Sequence, residues 1–102
     1  MQIVNSSQSF PNISGFGPQV NTATVVMPAA VTQATAILTG FLAEYGNNDD
    51  HHLGQLDVQV AVPTGGVNGT AITVNITFGL RDWSGNWDDN YNGTVFFSVI
   101  GE

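Results

Sequence analysis

Two segments of this chain alternate apolar and polar residues with a period of two, and nothing else in the sequence restricts the fold as much. In Gln55–Val62, QLDVQVAV, residues Leu56, Val58, Val60 and Val62 share one parity, and Gln55, Asp57 and Gln59 share the other. In residues 70–80, TAITVNITFGL, Ile72, Val74, Ile76 and Phe78 alternate with Thr73, Asn75 and Thr77. Successive side chains of a strand point to opposite faces, so each segment reads as a strand with one face on a core. Three further segments carry β-branched or aromatic residues: Val20–Met27, Ala34–Tyr45 and Thr94–Ile100. Pro28 ends the first, because proline cannot donate to a ladder. The other two are apolar on both parities and read as central strands covered on two sides. The competing reading of Ala34–Tyr45 is a helix, since Ile37, Phe41 and Tyr45 are four apart; Thr35, Thr39 and Gly40 weigh against it.

Turns rich in Gly, Asn and Asp separate these segments, and no capped helix interrupts them. The expected fold class is all-β: a single small antiparallel β-sandwich or barrel of about six strands, spanning residues 20–102. Residues 1–19 read as an N-terminal loop, a short edge segment or an arm. Their NSSQSFPNISGFGPQ stretch is rich in Ser, Asn, Gly and Pro, with Phe10, Ile13 and Phe16 free to tuck under the domain. At 102 residues the chain is one domain, long enough to bury a core without disulfides.

Charge narrows the function classes. The net charge is −7, yet only 9% of residues are charged, there is no lysine and Arg81 is the one arginine. A phosphate backbone must be met by several cations, so nucleic acid and anionic membranes are excluded as expected partners. Cysteine is absent, which removes thiol nucleophiles and zinc–thiolate sites. No run approaches the roughly 20 apolar residues that cross a bilayer, and MQIVNSSQSFPNISG lacks the basic start and apolar core of a signal peptide. The setting stays open between a cytoplasmic chain, a mature extracellular or surface form, and a virion-associated one. Edge strands are ordinarily guarded by lysine, inward charge or proline. A chain so poor in charge is expected to hide its edges in a homo-oligomer.

The chemistry-bearing stretch is RDWSGNWDDNYNG, residues 81–93. Trp83, Trp87 and Tyr91 recur every four residues among Asp82, Ser84, Asn86, Asp88, Asp89 and Asn90. A flat ring that stacks on a pyranose, flanked by amides and carboxylates that bond its hydroxyls, is what a sugar site needs. The competing reading packs one Trp into the end of the domain and leaves the rest as turns. Arg81 is expected to pair with Asp82, Asp88 or Asp89 and hold the loop's shape. Asp82, Ser84, Asn86 and Asp88 also fall at alternate positions, as in a calcium loop, but Trp87 stands where such loops need glycine and no Glu follows at the twelfth position. Asp49, Asp50, His51 and His52 offer a second set of metal donors, although adjacent histidines in a strand face opposite ways. The expectation is therefore no cofactor, with Ca2+ the remaining option. No G-x-S-x-G elbow occurs, and the carboxylates available are those any acidic protein offers, so no enzyme activity is expected.

With its elements in order, the chain from about residue 20 resembles the H-type lectins. ATAILTGFLAEY, GNNDDHH, QLDVQVAV, ITVNITF, DWSGNW, Tyr91 and GTVFFSVIGE follow one another as that family's strands and loops do, with Phe97 six residues after Tyr91. The resemblance implies a six-stranded sandwich that binds N-acetylgalactosamine-type sugars as a trimer or hexamer. It implies Tyr91 as the sugar-contacting tyrosine and Trp83 or Trp87 as the stacking ring. Ser84 or Asp88 stands where the family has a histidine beside that Trp, and QLDVQVAV has no counterpart of its basic residue. The sequence thus leads to a glycan-binding loop of Trp83, Trp87, Asp88, Asp89, Asn90 and Tyr91. The alternative is a structural or assembly protein in which the same loop is a subunit interface.

Overall fold

Period-two alternation places its apolar parity inward, and in the computed structural model the two such segments lie side by side in one sheet, over a core that a second sheet closes. The structure describes residues 1–46 and 51–102. Its strands are β1 (Gln2–Ser14), β2 (Gln19–Val26), β3 (Ala34–Tyr45), β4 (Leu53–Ala61), β5 (Val67–Asn68), β6 (Ala71–Asp82) and β7 (Asn90–Gly101). They form two antiparallel sheets: a front sheet in the order β1–β7–β3 and a back sheet in the order β2–β6–β4, with the two-residue β5 also paired to β6. Neither sheet closes on itself, so the architecture is a sandwich and not a barrel. Among the described residues there is no helix, and so none long and apolar enough to cross a membrane.

The core lies between the two central strands. β6 contributes Ile72, Val74, Ile76, Phe78 and Leu80; β7 contributes Tyr91, Val95, Phe97 and Val99, all buried. Phe78 ties the layers together, with its ring 5.4 Å from Phe10 and 5.7 Å, edge-on, from Tyr91. Gly93 is required where β7 passes beneath this ring, because a Cβ there would run into Phe78 and the Leu42 carbonyl. The four inward positions expected on β6 are all fully buried.

Two expectations are corrected. The N-terminal segment is an edge strand, and neither a loop nor a short piece: β1 runs for 13 residues and pairs with β7 from Gln2↔Gly101 to Ser14↔Asn90. Its Ser and Asn side chains obscured a half-buried alternation of Gln2, Val4, Ser6, Gln8 and Phe10. Pro11 and Asn12, the latter at φ 49°, fall at a break in register, where an unpaired residue needs no ladder bond. Second, β3 was expected to be central and is an edge strand. Its two-sided apolar pattern is real, but the outer side has no cover, leaving Ile37 and Leu42 exposed, and at this edge even Leu38 and Phe41, paired with the inward Phe97 and Val95, are partly open to solvent. β7, read the same way, is central as expected.

Candidate functional site

The stretch 81–93 connects the centre of the back sheet to the centre of the front sheet, so it caps one end of the sandwich. Its fold is set from below. Asp82, at the end of β6, is largely buried, and its Oδ1 accepts from the Ser84 backbone N–H (3.0 Å) and the Ser84 hydroxyl (2.5 Å). This local bonding is what Asp and Ser do best outside regular structure. Gly85, at φ 88°, turns the chain in a conformation that a side chain would strain. The Ser84 hydroxyl holds Asp82 in its charged form, and the Asp82 carboxyl titrates below its ordinary value.

The two tryptophans have different fates. Trp83 projects into solvent with 72% of its surface exposed. Its backbone N–H donates to the His52 carbonyl (2.9 Å), so the exposed ring stands on a pinned main chain. Trp87 is partly buried and packs on the core, 6.5 Å from Tyr91. The Arg81 guanidinium lies 5.7 Å from the Trp87 ring centroid, and Arg81 also donates to Gln55 Oε1 (3.3 Å). The expected pairing of Arg81 with a loop carboxylate is thus replaced, among the described residues, by cation–π and amide contacts. Arg81 Nε is buried without a hydrogen-bond partner there.

Tyr91 corrects the expectation of a ligand-contacting phenol. It is only 1% exposed, and its hydroxyl donates to the carbonyls of Phe16 (2.9 Å) and Gly17 (3.0 Å). Burial lifts the phenol above its ordinary value. Tyr91 therefore anchors the β1–β2 connection at this end of the sandwich. That connection exposes Phe16, a second solvent-facing aromatic ring (63%). Asp88 and Asn90 are exposed, as are Ser84 and Asn86. Beside Asn90, the end of the front sheet forms a depression of about 360 Å3 lined by the hydrogen-bonding side chains of Asn12, Ser14, Asn90 and Asn92 together with Ile13, Gly46 and Tyr91.

Asp89 turns the other way, toward His51 and Asp82. His51 Nδ1 lies 3.1 Å from Asp82 Oδ2 and 3.6 Å from Asp89 Oδ1, and Asp89 Oδ2 accepts from the Asp82 backbone N–H (3.4 Å). Facing a carboxylate, Nδ1 carries the proton. Burial first, and the neighbouring Asp82 charge after it, push the Asp89 carboxyl above its ordinary value. Tyr45 completes the group. Its ring lies 4.7 Å from the His51 ring and its hydroxyl donates to the Arg81 carbonyl (2.9 Å). Burial, then the charges of Asp82 and Asp89, raise its pKa.

One donor atom each of His51, Asp82 and Asp89 lies within 4.8 Å of the others, the group of described residues that could hold a cation. It differs from both expected sets. Ser84 is bonded to Asp82, while Asn86, Asp88 and His52 stay outside the group. Asp49 and Asp50 lie outside the described residues. Sequence separation concealed the grouping, since His51 and Asp82 are 31 residues apart and meet only through the β4–β6 pairing Leu53↔Asp82. Tyr45, read as a strand residue, carried no signal of its own.

Comparison with family models, with characterised proteins and with solved structures gave no match.

Proposed function

We propose that this chain is a carbohydrate-binding, lectin-like module that takes a glycan on the 82–93 loop, with Trp83 as the stacking ring. The observation that carries the reading is the exposure of Trp83 on a loop whose base is locked by Asp82, Ser84 and Trp87. An indole left in water is an unfavourable place for so large an apolar surface, and a pyranose face is a ligand that covers it. Ser84, Asn86, Asp88 and Asn90 supply exposed donors and acceptors around it. Trp87 and Tyr91 support the loop from beneath, so the resemblance to the H-type lectins bears on Trp83 as the stacking ring and not on Tyr91. Single sites of this size bind weakly, and a homo-oligomer would raise avidity by presenting several at once.

Glycan-array binding by the wild type, abolished in Trp83→Ala with the fold intact, is the expected result. Silence across a broad array would overturn the reading. The low charge of the chain favours the second reading, a structural or assembly protein whose Trp83 loop meets a neighbouring subunit. Trp fluorescence separates the two: a blue shift on adding sugar supports the first, and a red shift on dilution to monomer supports the second.

A further inference from the structure

Directly paired residues of an antiparallel sheet point to the same face, so the register reads out the outer surface of the front sheet row by row. With Val95, Phe97 and Val99 buried inward, the outward rows are Ile3–Ile100–Thr35, Asn5–Ser98–Ile37, Ser7–Phe96–Gly40 and Ser9–Thr94–Leu42. A continuous apolar stripe crosses them through Ile3, Ile100, Ile37, Phe96 and Leu42. Ile3, Ile37, Phe96 and Leu42 are between 44% and 57% exposed. Patches of this kind on a monomer mark interaction sites.

Charge says what covers it. The stretches that build these rows, residues 3–9, 35–42 and 94–100, contain no Asp, Glu, Lys, Arg or His, although the chain has eight acidic residues and a net charge of −7. Glu44 and Glu102 lie beyond the two ends of the stripe. A basic partner would find no carboxylate on this face, and an anionic lipid surface would be repelled by the rest of the molecule. The surface that suits it is uncharged and carries an apolar stripe between polar neighbours, and this face is one. Three strands about 4.8 Å apart and twelve residues long make a face of roughly 550 Å2, or about 1,100 Å2 for two copies. That reaches the roughly 1,000 Å2 expected of a specific interface and stays below the size of permanent ones.

We infer that the outer face of the β1–β7–β3 sheet is a self-association surface, on which two copies of this chain stack face to face about a twofold axis. An isologous contact sets each stripe against its own equivalent and keeps Glu44 and Glu102 at the rim. The inference names the contact behind the homo-oligomer of the reading above; it does not depend on the sugar.

Sedimentation equilibrium on the full chain, from micromolar to sub-millimolar concentration, tests it. The expected result is a concentration-dependent dimer, or an even-numbered assembly built from it. Ile37→Glu and Phe96→Glu each raise the dissociation constant at least tenfold, with the strand signal in circular dichroism unchanged. Phe96→Thr, which keeps strand propensity, weakens it less. Thr24→Glu on the opposite sheet leaves it unchanged. A monomer at every concentration, an odd-numbered assembly, or a mass indifferent to both Ile37→Glu and Phe96→Thr overturns the inference. So does a monomer that floats with neutral phosphatidylcholine vesicles. A silent glycan array with these masses as expected would sink the sugar reading alone, and the reverse would sink this one alone.

Discussion

The outer face of the back sheet carries Thr22, Thr24, Thr73, Asn75, Thr77, Gln59 and Asp57, while the matching face of the front sheet carries Ile3, Ile37, Leu42, Phe96 and Ile100. The sheets share a strand plan, with a long central strand between two edges. The back face hydrogen-bonds within itself, through Thr22 to Asn75 (3.1 Å) and Gln59 to Asp57 (2.7 Å), and ends in exposed Val20 and Val26. β-branched threonine keeps strand propensity while offering water a hydroxyl, so that face can remain wet. The front face also has hydroxyls, at Ser7, Ser9, Thr35, Thr94 and Ser98, but Ile3, Ile100, Ile37, Phe96 and Leu42 run between them as an apolar stripe. Two sheets of one sandwich therefore need only one core between them, but the front sheet is written as though it had a second.

The largest way to break this comparison is to damage the core that both sheets share. Phe78→Ala and Phe97→Ala should each cost about 3–5 kcal/mol in urea unfolding, much of the stability of a small domain. Gly93→Ala should be of similar severity, because the Leu42 carbonyl cannot move aside without opening the β3–β7 ladder. Equal losses from β6 and β7 would mean that the inner faces are equivalent and only the outer ones differ.

The two tryptophans sharpen the contrast between supported and exposed surface. Trp87→Ala should lower stability by about 2 kcal/mol, as half-buried packing and the Arg81 contact are lost. Trp83→Ala should stay within about 0.5 kcal/mol of wild type, while removing glycan binding. Tyr91→Phe should cost about 1–2 kcal/mol, since the Phe16 and Gly17 carbonyls lose their donor. Thermal melts on the three variants give the order directly.

The smallest effects come from pH, at the end where the sheets are joined. Asp82 has a folded pKa below its unfolded one, so its contribution is present above the unfolded value and lost as pH falls through the folded one. Asp89 is raised, so its contribution runs the other way: present at low pH and lost as pH rises through its folded value. Asp82→Asn should lower the melting temperature at neutral pH, and the deficit should vanish below the carboxylate range. Asp89→Asn should raise it slightly at neutral pH. Melting curves across the acid range check both signs.

Strand positions were legible wherever one parity was apolar and the other polar, as in β4 and β6, because the pleat alone imposes that pattern. β1 was hidden, since Ser and Gln on its inward parity look like a loop until β7 is seen to pair with them. The loop's polar residues were legible by type. Their division of labour was not: Asp88 faces water, while Asp89 faces His51 across a long sequence separation.

Apolarity on both parities of β3 and β7 is written in the chain, and by itself it determined that the front sheet carries apolar side chains on both of its faces. Which strand stands at the centre was decided only by tertiary pairing, because hydrogen-bonded neighbours come from distant segments: β1 and β3 both choose β7. The same pairing left β3 at an edge and the outer stripe open. Among the described residues the chain forms two layers and no third, because each sheet has only one other to pack on, and the outer stripe is left without cover.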